Sequence, residues 1–241
     1  MQISQFSDYG PNGLQIEGKS AIKTIAFAVS ATKDSIEKAI EKKADALIVH
    51  HGLFWKYKGA CPIIGQTAKR IIPLIKNDIN LFAYHLPLDA HPKYGNAATL
   101  AEKIGMTKLE SFGEYKKMPL GIKGKLSNPI PAKDLQVHLE KVLNHSIIIA
   151  SENPERVVNS LGIITGGANN DWTQAVKDNL DAYLTGEISE YNWHDSKEAG
   201  IHMFAGGHHA TEIFGVQALK EHLKQKYPDL DYHFIDSENP A

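Results

Sequence analysis

The chain has 241 residues, of which 42% are hydrophobic and 22% charged, and its formal net charge is −2. That is enough apolar mass for one large α/β domain or two small ones, and it supplies no basic field for nucleic acid or an anionic membrane. The one cysteine, Cys61, excludes an intramolecular disulfide and fits a reducing compartment; it is expected to be a buried or half-buried filler rather than a nucleophile.

The opening MQISQFSDYG has neither the basic nor the apolar region of a signal peptide. No apolar run approaches the ~20 residues of a membrane helix, so a cytoplasmic protein without a membrane partner is expected. Next comes DYGPNGLQIEG, a turn-rich segment containing Tyr9, Asn12 and Gly13, which either borders a pocket or is a surface loop.

Residues 22–104 read as three strand–helix units. Strand-length apolar runs occur at 25–30, 44–50 and 79–85. Helical spacing follows each, at 32–43, 67–76 and 97–104. Pro73 is expected to weaken or kink the second helix, and Gly105 to cap the third. The order recurs further on, with strands at 158–164, 181–186 and 201–209 and helices at 171–179 and 211–224. We read this as duplication of an α/β unit; the competing reading is that any α/β chain looks self-similar at this resolution. Residues 106–157 fit neither repeat. They predict a strand at 115–126, a helix at 132–143 and a strand at 146–151, a β-α-β insert; a last strand is expected at 230–236. The predicted architecture is α/β: two similar, intertwined repeats with mostly parallel sheets. The boundaries are a first repeat at 1–112, an insert at 113–157 and a second repeat at 158–241, with a metal site between the repeats.

Six of the twelve histidines crowd into three strand ends. These are ALIVHHG (His50, His51), FAYHLPLDAH (His85, Asp89, His91) and FAGGHHATE (His208, His209, Glu212). Imidazole with carboxylate is the ligand set of a borderline divalent ion, and open α/β sheets bind ligands at the carboxyl ends of their strands. His50 and His51 would face opposite ways on a regular strand, but at a strand end before Gly52 the chain can turn both into one site. His208 and Glu212, spaced i, i+4, share one helix face. Asp89 sits in a loop stiffened by Pro87 and Pro92; it either ligates or supports a turn. These positions predict a centre of two divalent ions, for which zinc, iron, manganese and nickel all suit the donors. His85, His91 and His209 are candidate proton carriers. Asn12, Lys56 and Glu187 are candidate substrate contacts, with Glu187 also placed to support a ligand or act as a base. Thr165-Gly166-Gly167 is either an anion-holding turn or a plain one.

Five of these segments, DYGPNGLQIEG, DALIVHHGLFWK, YHLPLDAHPKYGN, TGEISEYNWHDS and FAGGHHATE, resemble in content and order the motifs of the Nif-three-like family. Its bacterial members are commonly labelled GTP cyclohydrolase 1 type 2 homologs. The resemblance covers nearly the whole chain. It places the family's metal ligands on His50, His51, Asp89, His208 and Glu212. It implies a dinuclear centre, two intertwined α/β repeats, and a ring-shaped homohexamer built as a ring of dimers. One departure is that this chain begins almost directly at SDYGPNG, where a short helix is usual.

The function expected is a metal-dependent hydrolase, of cyclohydrolase or phosphoesterase type, acting on a nucleotide or similar small molecule. Lys56 and Lys93 are the nearest cations to the metal motifs, few for a triphosphate. The alternative is a non-enzymatic metal-binding adaptor. A nucleic-acid-associated ring is disfavoured by the acidity, with Lys108, Lys116, Lys117, Lys123 and Lys125 as its only basic face.

Overall fold

Runs of apolar residues flanked by amphipathic helices fold into two mixed sheets, each inside its own compact unit. The computed structural model describes residues 1 and 3–241. The first unit comprises residues 1–88 and 215–238, the second 89–214 and 239–241.

The first unit opens with β1 (Gly13–Ile16), β2 (Thr24–Ser30), α1 (Lys33–Glu41), β3 (Ala46–His51), α2 (Gly65–Lys76) and β4 (Asn80–Ala83), and the chain leaves through α3 (Leu86–Asp89). α1 is started by a capping box: the Ser35 amide donates to Thr32 Oγ1 (3.1 Å) and the Thr32 amide to Ser35 Oγ (2.9 Å). α2 runs on through Pro73 to Lys76. Pro73 does not end the helix: Ile71 and Leu74 on either side are buried, and tertiary packing outweighs one missing amide donor.

In the second unit the elements are α4 (Asn96–Ile104), β5 (Met106–Tyr115), β6 (Met118–Pro131), α5 (Ala132–Leu143), β7 (Ile148–Ala150), β8 (Val157–Ile163), α6 (Trp172–Lys177), β9 (Ala182–Thr185), α7 (Glu190–Glu198) and β10 (His202–Ala205). α8 (His208–Lys226) begins in this unit and ends in the first, followed by β11 (Asp231–Phe234). Gly105 closes α4 in the left-handed region, as its sequence position implied.

The first sheet has the order β1-β4-β3-β2-β11 and the second β5-β6-β8-β9-β10-β7. Strands β2, β3, β4 and β11 are mutually parallel, as are β8, β9 and β10; β1, β5, β6 and β7 add antiparallel neighbours. Both sheets are therefore mixed. Period-two alternation covers the two faces of the first sheet separately. Ile25, Phe27 and Ile48 pack with Leu88, Val216 and Leu219, whereas Ala26, Leu47 and Val49 pack with Ile36, Ile71 and Leu74. In the second unit, α4 and α5 bury Leu100, Leu135 and Leu139 against Leu161 and Leu184. Phe112, Ala175, Tyr183 and Met203 fill a separate cluster.

Three expectations differ from the structure. The strand expected at 115–126 is β6, which starts at Met118; the unexpected element is β5 before it, which pairs with β6 as a hairpin with Tyr115 opposite Met118. Its two-residue turn is Lys116-Lys117, both at positive φ (48° and 69°), so the Asn-Gly type of signal that announces such turns is missing. The boundaries 1–112, 113–157 and 158–241 also differ from the compact units. The supposed insert contributes β6 and β7 to the sheet of β8–β10, and β11 at the C-terminal end joins β2. Strand pairing of this kind is non-local and leaves no trace in local periodicity. Cys61 is exposed, not a core filler. Among the described residues, no helix is long and apolar enough to cross a membrane.

Candidate metal centre

β3 ends the way the paired histidines require. His50 is fully buried and His51 half-buried. Their rings lie 4.6 Å apart at 50°, so the strand end does bring both to one place. The His85 ring, just beyond β4, stands 5.1 Å from that of His50 and 5.6 Å from that of His51. One ring nitrogen from each of the three falls within 4.8 Å of the others.

The opposite nitrogens show which atoms face that centre. His50 Nδ1 is 2.9 Å from the Tyr84 carbonyl oxygen. A carbonyl only accepts, so Nδ1 carries the proton and Nε2 is left as the ligand atom. His51 Nδ1 is 2.9 Å from Ser30 Oγ, its cross-strand partner, and His85 Nδ1 is 2.7 Å from Asp8 Oδ1. Each ring is thus fixed through Nδ1 by a different element. This is the outer-shell pattern that orients metal-binding histidines.

Asp8 is the hub of this arrangement, and sequence reasoning missed it. Its carboxylate also accepts from Asn12 Nδ2 (2.7 Å), the Tyr9 amide (2.6 Å) and the Leu86 amide (3.0 Å). Burial pushes its pKa up, but the bonds and charge from His85, then Asn12 and the Tyr9 amide, outweigh this and leave it lowered. The signal was present in DYGPNG, where a carboxylate precedes a turn; what it lacked was any local hint of a partner 77 residues away. Asn12 Oδ1 accepts from the His85 amide (2.8 Å), and Lys56 Nζ donates to the Asp8 carbonyl (2.7 Å). Both candidate substrate contacts therefore hold the histidine loop in place here. Trp55 walls the cluster, edge-on to His85 at 5.1 Å and 6.0 Å from His51.

In the second unit the carboxyl ends of three parallel strands converge similarly. His208 and Glu212 open α8 on one face, with His208 Nε2 3.2 Å from Glu212 Oε2. Glu187, after β9, reaches His208 Nδ1 at 2.6 Å. It is thus an orienting carboxylate for that ring, one of the two supporting roles read for it. Burial pulls the His208 pKa down, but Glu212 and then Glu187 more than reverse this, to about 9. An imidazolium clasped by two carboxylates marks a place where positive charge is demanded, and a divalent ion competes for it with the proton. Gly166 makes room: it sits at φ +70°, and a Cβ there would collide with Glu212 Oε1. Its amide donates to Thr211 Oγ1 (3.1 Å), so this turn is knitted into the start of α8.

Asp89 Oδ1 accepts from Asn96 Nδ2 (2.8 Å) and, more weakly, from Thr165 Oγ1 (3.5 Å). His91 Nδ1 accepts the Lys93 and Tyr94 amides at 3.2 and 3.0 Å, a turn-supporting role. His209 is buried within α8, and its amide donates to the Ala241 carbonyl (3.0 Å). The donors present, imidazoles and carboxylates fixed by outer hydrogen bonds, fit a divalent metal.

Comparison with known proteins decides the family. The model of Duf34/NIF3 (NGG1p interacting factor 3) matches residues 1–240. The chain belongs to the NIF3 family. Among its relatives, a Pasteurella multocida protein called GTP cyclohydrolase 1 type 2 homolog is 44% identical over 98% of this chain and 92% of its own length. An Escherichia coli K12 protein of the same name is 43% identical over 100% of this chain and 95% of its own. A solved structure described as protein ybgI, of unknown function, superposes with a TM-score of 0.91 at 42% identity, covering 99% of this chain and 94% of that one. In this NIF3-family chain, the histidine and carboxylate clusters described above could bind metal.

Proposed function

We propose that this NIF3-family protein is a divalent-metal-dependent hydrolase of a nucleotide-like small molecule, with two ions per chain held by His50, His51, Asp89, His208 and Glu212. The observation that carries this reading is the outward anchoring of the rings. Tyr84, Ser30 and Asp8 hold His50, His51 and His85 through Nδ1, and Glu187 holds His208 the same way. Rings so fixed lose little freedom when Nε2 of His50, His51 or His208 takes up an ion, or Nε2 of His85 a proton.

Bound ions supply Lewis acidity and a nucleophile from water near neutral pH. The chain's own part is proton handling. His85, backed by the buried carboxylate of Asp8, takes a proton at Nε2 and returns it to the leaving group, as an imidazole oriented by a carboxylate does elsewhere. Trp55 at its edge helps to keep water out.

The reading includes self-association. The outward face of α2 is apolar: Ile64, Ile72 and Ile75, at helical spacing with the half-buried Ala68 between, are 69%, 40% and 54% exposed. Such a face suits an interface between copies.

Elemental analysis of metal per chain, on protein purified without chelator, tests the reading. About two ions are expected, lost in His208→Ala with Glu212→Ala. Absence of metal under metal-replete conditions would overturn the hydrolase and favour a non-enzymatic adaptor.

A further inference from the structure

A cavity of about 270 Å³ lies in the first unit, between the loop after β3 and helix α2. Pro11, Leu53, Phe54 and Ile71 supply apolar walls, and Trp55 forms a further side. That same indole is in ring contact with His85 and His51, so one wall of the cavity is also a wall of the histidine cluster. The rest of the lining is rich in cations. Lys56, Lys58 and Arg70 belong to it, and no carboxylate does, in a chain whose net charge is −2.

The three cations differ in how far they are committed. Lys56 Nζ is bonded to the Asp8 carbonyl. Among the described residues, neither Lys58 nor Arg70 has an ion-pair partner. Arg70 Nε is buried without a hydrogen-bond acceptor. A buried, unmatched guanidinium donor is costly to keep unless something supplies the acceptor. Two uncompensated cations beside apolar walls match a group that is doubly negative, compact and attached to a ring. Ligand sites of drug-like molecules run from about 300 Å³ upward, so this cavity suits one aromatic ring with one such group rather than a nucleoside triphosphate.

We infer that this cavity is a subsite for an aromatic phosphomonoester: Arg70 and Lys58 hold the phosphate, and the ring lies along Trp55, directed towards His51 and His85. The inference deepens the hydrolase reading, on which its catalytic meaning rests, by naming the handle through which the substrate is recognised. The phosphate is that handle, and Trp55 is the wall that the subsite shares with the histidine cluster.

The test is titration of full-length, chelator-treated protein with phenyl phosphate, phenol and inorganic phosphate, followed by calorimetry and tryptophan fluorescence in phosphate- and sulfate-free buffer. Phenyl phosphate is expected to bind more tightly than phenol or inorganic phosphate, with affinity falling as salt rises. Binding should weaken about tenfold or more in Arg70→Gln and in Lys58→Gln, the charge-assisted contact being removed in each. Lys58 is exposed, so its variant keeps the test valid if Arg70→Gln folds poorly. Metal content should be unchanged in both. Phenyl phosphate that fails to bind, or that binds both variants as it binds the wild type, would overturn the subsite. Because binding is read without metal, phenyl phosphate binding in a protein that takes up no metal would sink the hydrolase and leave the subsite standing.

Discussion

Asp8 Oδ1 lies 2.7 Å from His85 Nδ1, joining a loop before the first strand to a loop after the fourth. Four donors converge on that carboxylate, so replacement by asparagine cannot be silent. Whichever way an asparagine amide is turned, its NH₂ faces donors: the Asn12 and Leu86 pair, or the His85 and Tyr9 pair. Asp8→Asn is expected to cost about 1–3 kcal/mol of stability and to leave metal affinity as it is, because the carboxylate orients the proton carrier His85 and not a ligand. Urea unfolding, alongside competition with a chromophoric chelator, measures both. Wild-type stability in Asp8→Asn would show that these hydrogen bonds do not hold the loop, and metal affinity lost from the folded variant would show that His85 is itself a ligand.

The Glu187–His208 pair gives a prediction about protonation. In the metal-free protein His208 titrates at about 9, raised from 6.5 against the effect of burial by Glu212 and Glu187. The folded state therefore holds this proton more tightly than the unfolded chain. Its contribution to stability is full below pH 6.5 and is lost as the pH rises through 9. Glu187→Gln removes one of the two charges, so the His208 pKa should fall. Metal binding should weaken roughly 10–100-fold, because the ring loses its orienting carboxylate. NMR titration of the histidines in chelator reads the first effect; an unmoved His208 resonance profile would refute the electrostatic account.

How far the sequence announced this site depends on the range of the interaction involved. The strand ends carrying His50, His51 and His85 and the i, i+4 pair His208–Glu212 were legible, because strand length and helix period are local. So was α5 at 132–143, which matches residue for residue. Asp8, Ser30 and the Tyr84 carbonyl were not, since each acts through a partner brought near only by sheet pairing. Arg70 was hidden for a similar reason: on α2 it reads as one more polar residue of an amphipathic helix. The boundaries read from the sequence differ from the compact units because β7 and β11 pair with strands distant in sequence, while the Lys116-Lys117 turn concealed a hairpin behind residues that rarely adopt positive φ.

The apolar outer face of α2 predicts a change of assembly. Ile72→Lys with Ile75→Lys replaces two exposed isoleucines with charge and touches neither Ile71 nor Leu74, the buried pair. The variant should stay folded, with its thermal midpoint within a few degrees of a dissociated wild type. Its sedimentation coefficient should shift from an oligomer towards smaller species. Identical sedimentation of variant and wild type would remove this face from the interface.

His202 sets an acid limit on the second unit. The ring is buried in β10, where Nε2 accepts from Arg156 Nε at 2.8 Å and Nδ1 therefore donates to Ser151 Oγ, also at 2.8 Å. A second proton has no place there: Nε2–H would confront the guanidinium donor. Burial, and then the Arg156 charge, lower its pKa from 6.5 to about 4. Between those values the unfolded chain binds the proton and the folded chain does not, so stability falls as the pH drops through 6.5 and the loss levels off below about 4. The full effect is about 3 kcal/mol. His202→Gln keeps an acceptor for Arg156 and a donor for Ser151 but cannot titrate. Urea unfolding from pH 7.5 to 4.5 should show the wild type losing about 2–3 kcal/mol more than the variant across that range. Parallel pH profiles for the two proteins would mean that His202 is protonated in the fold after all, with Arg156 turned away.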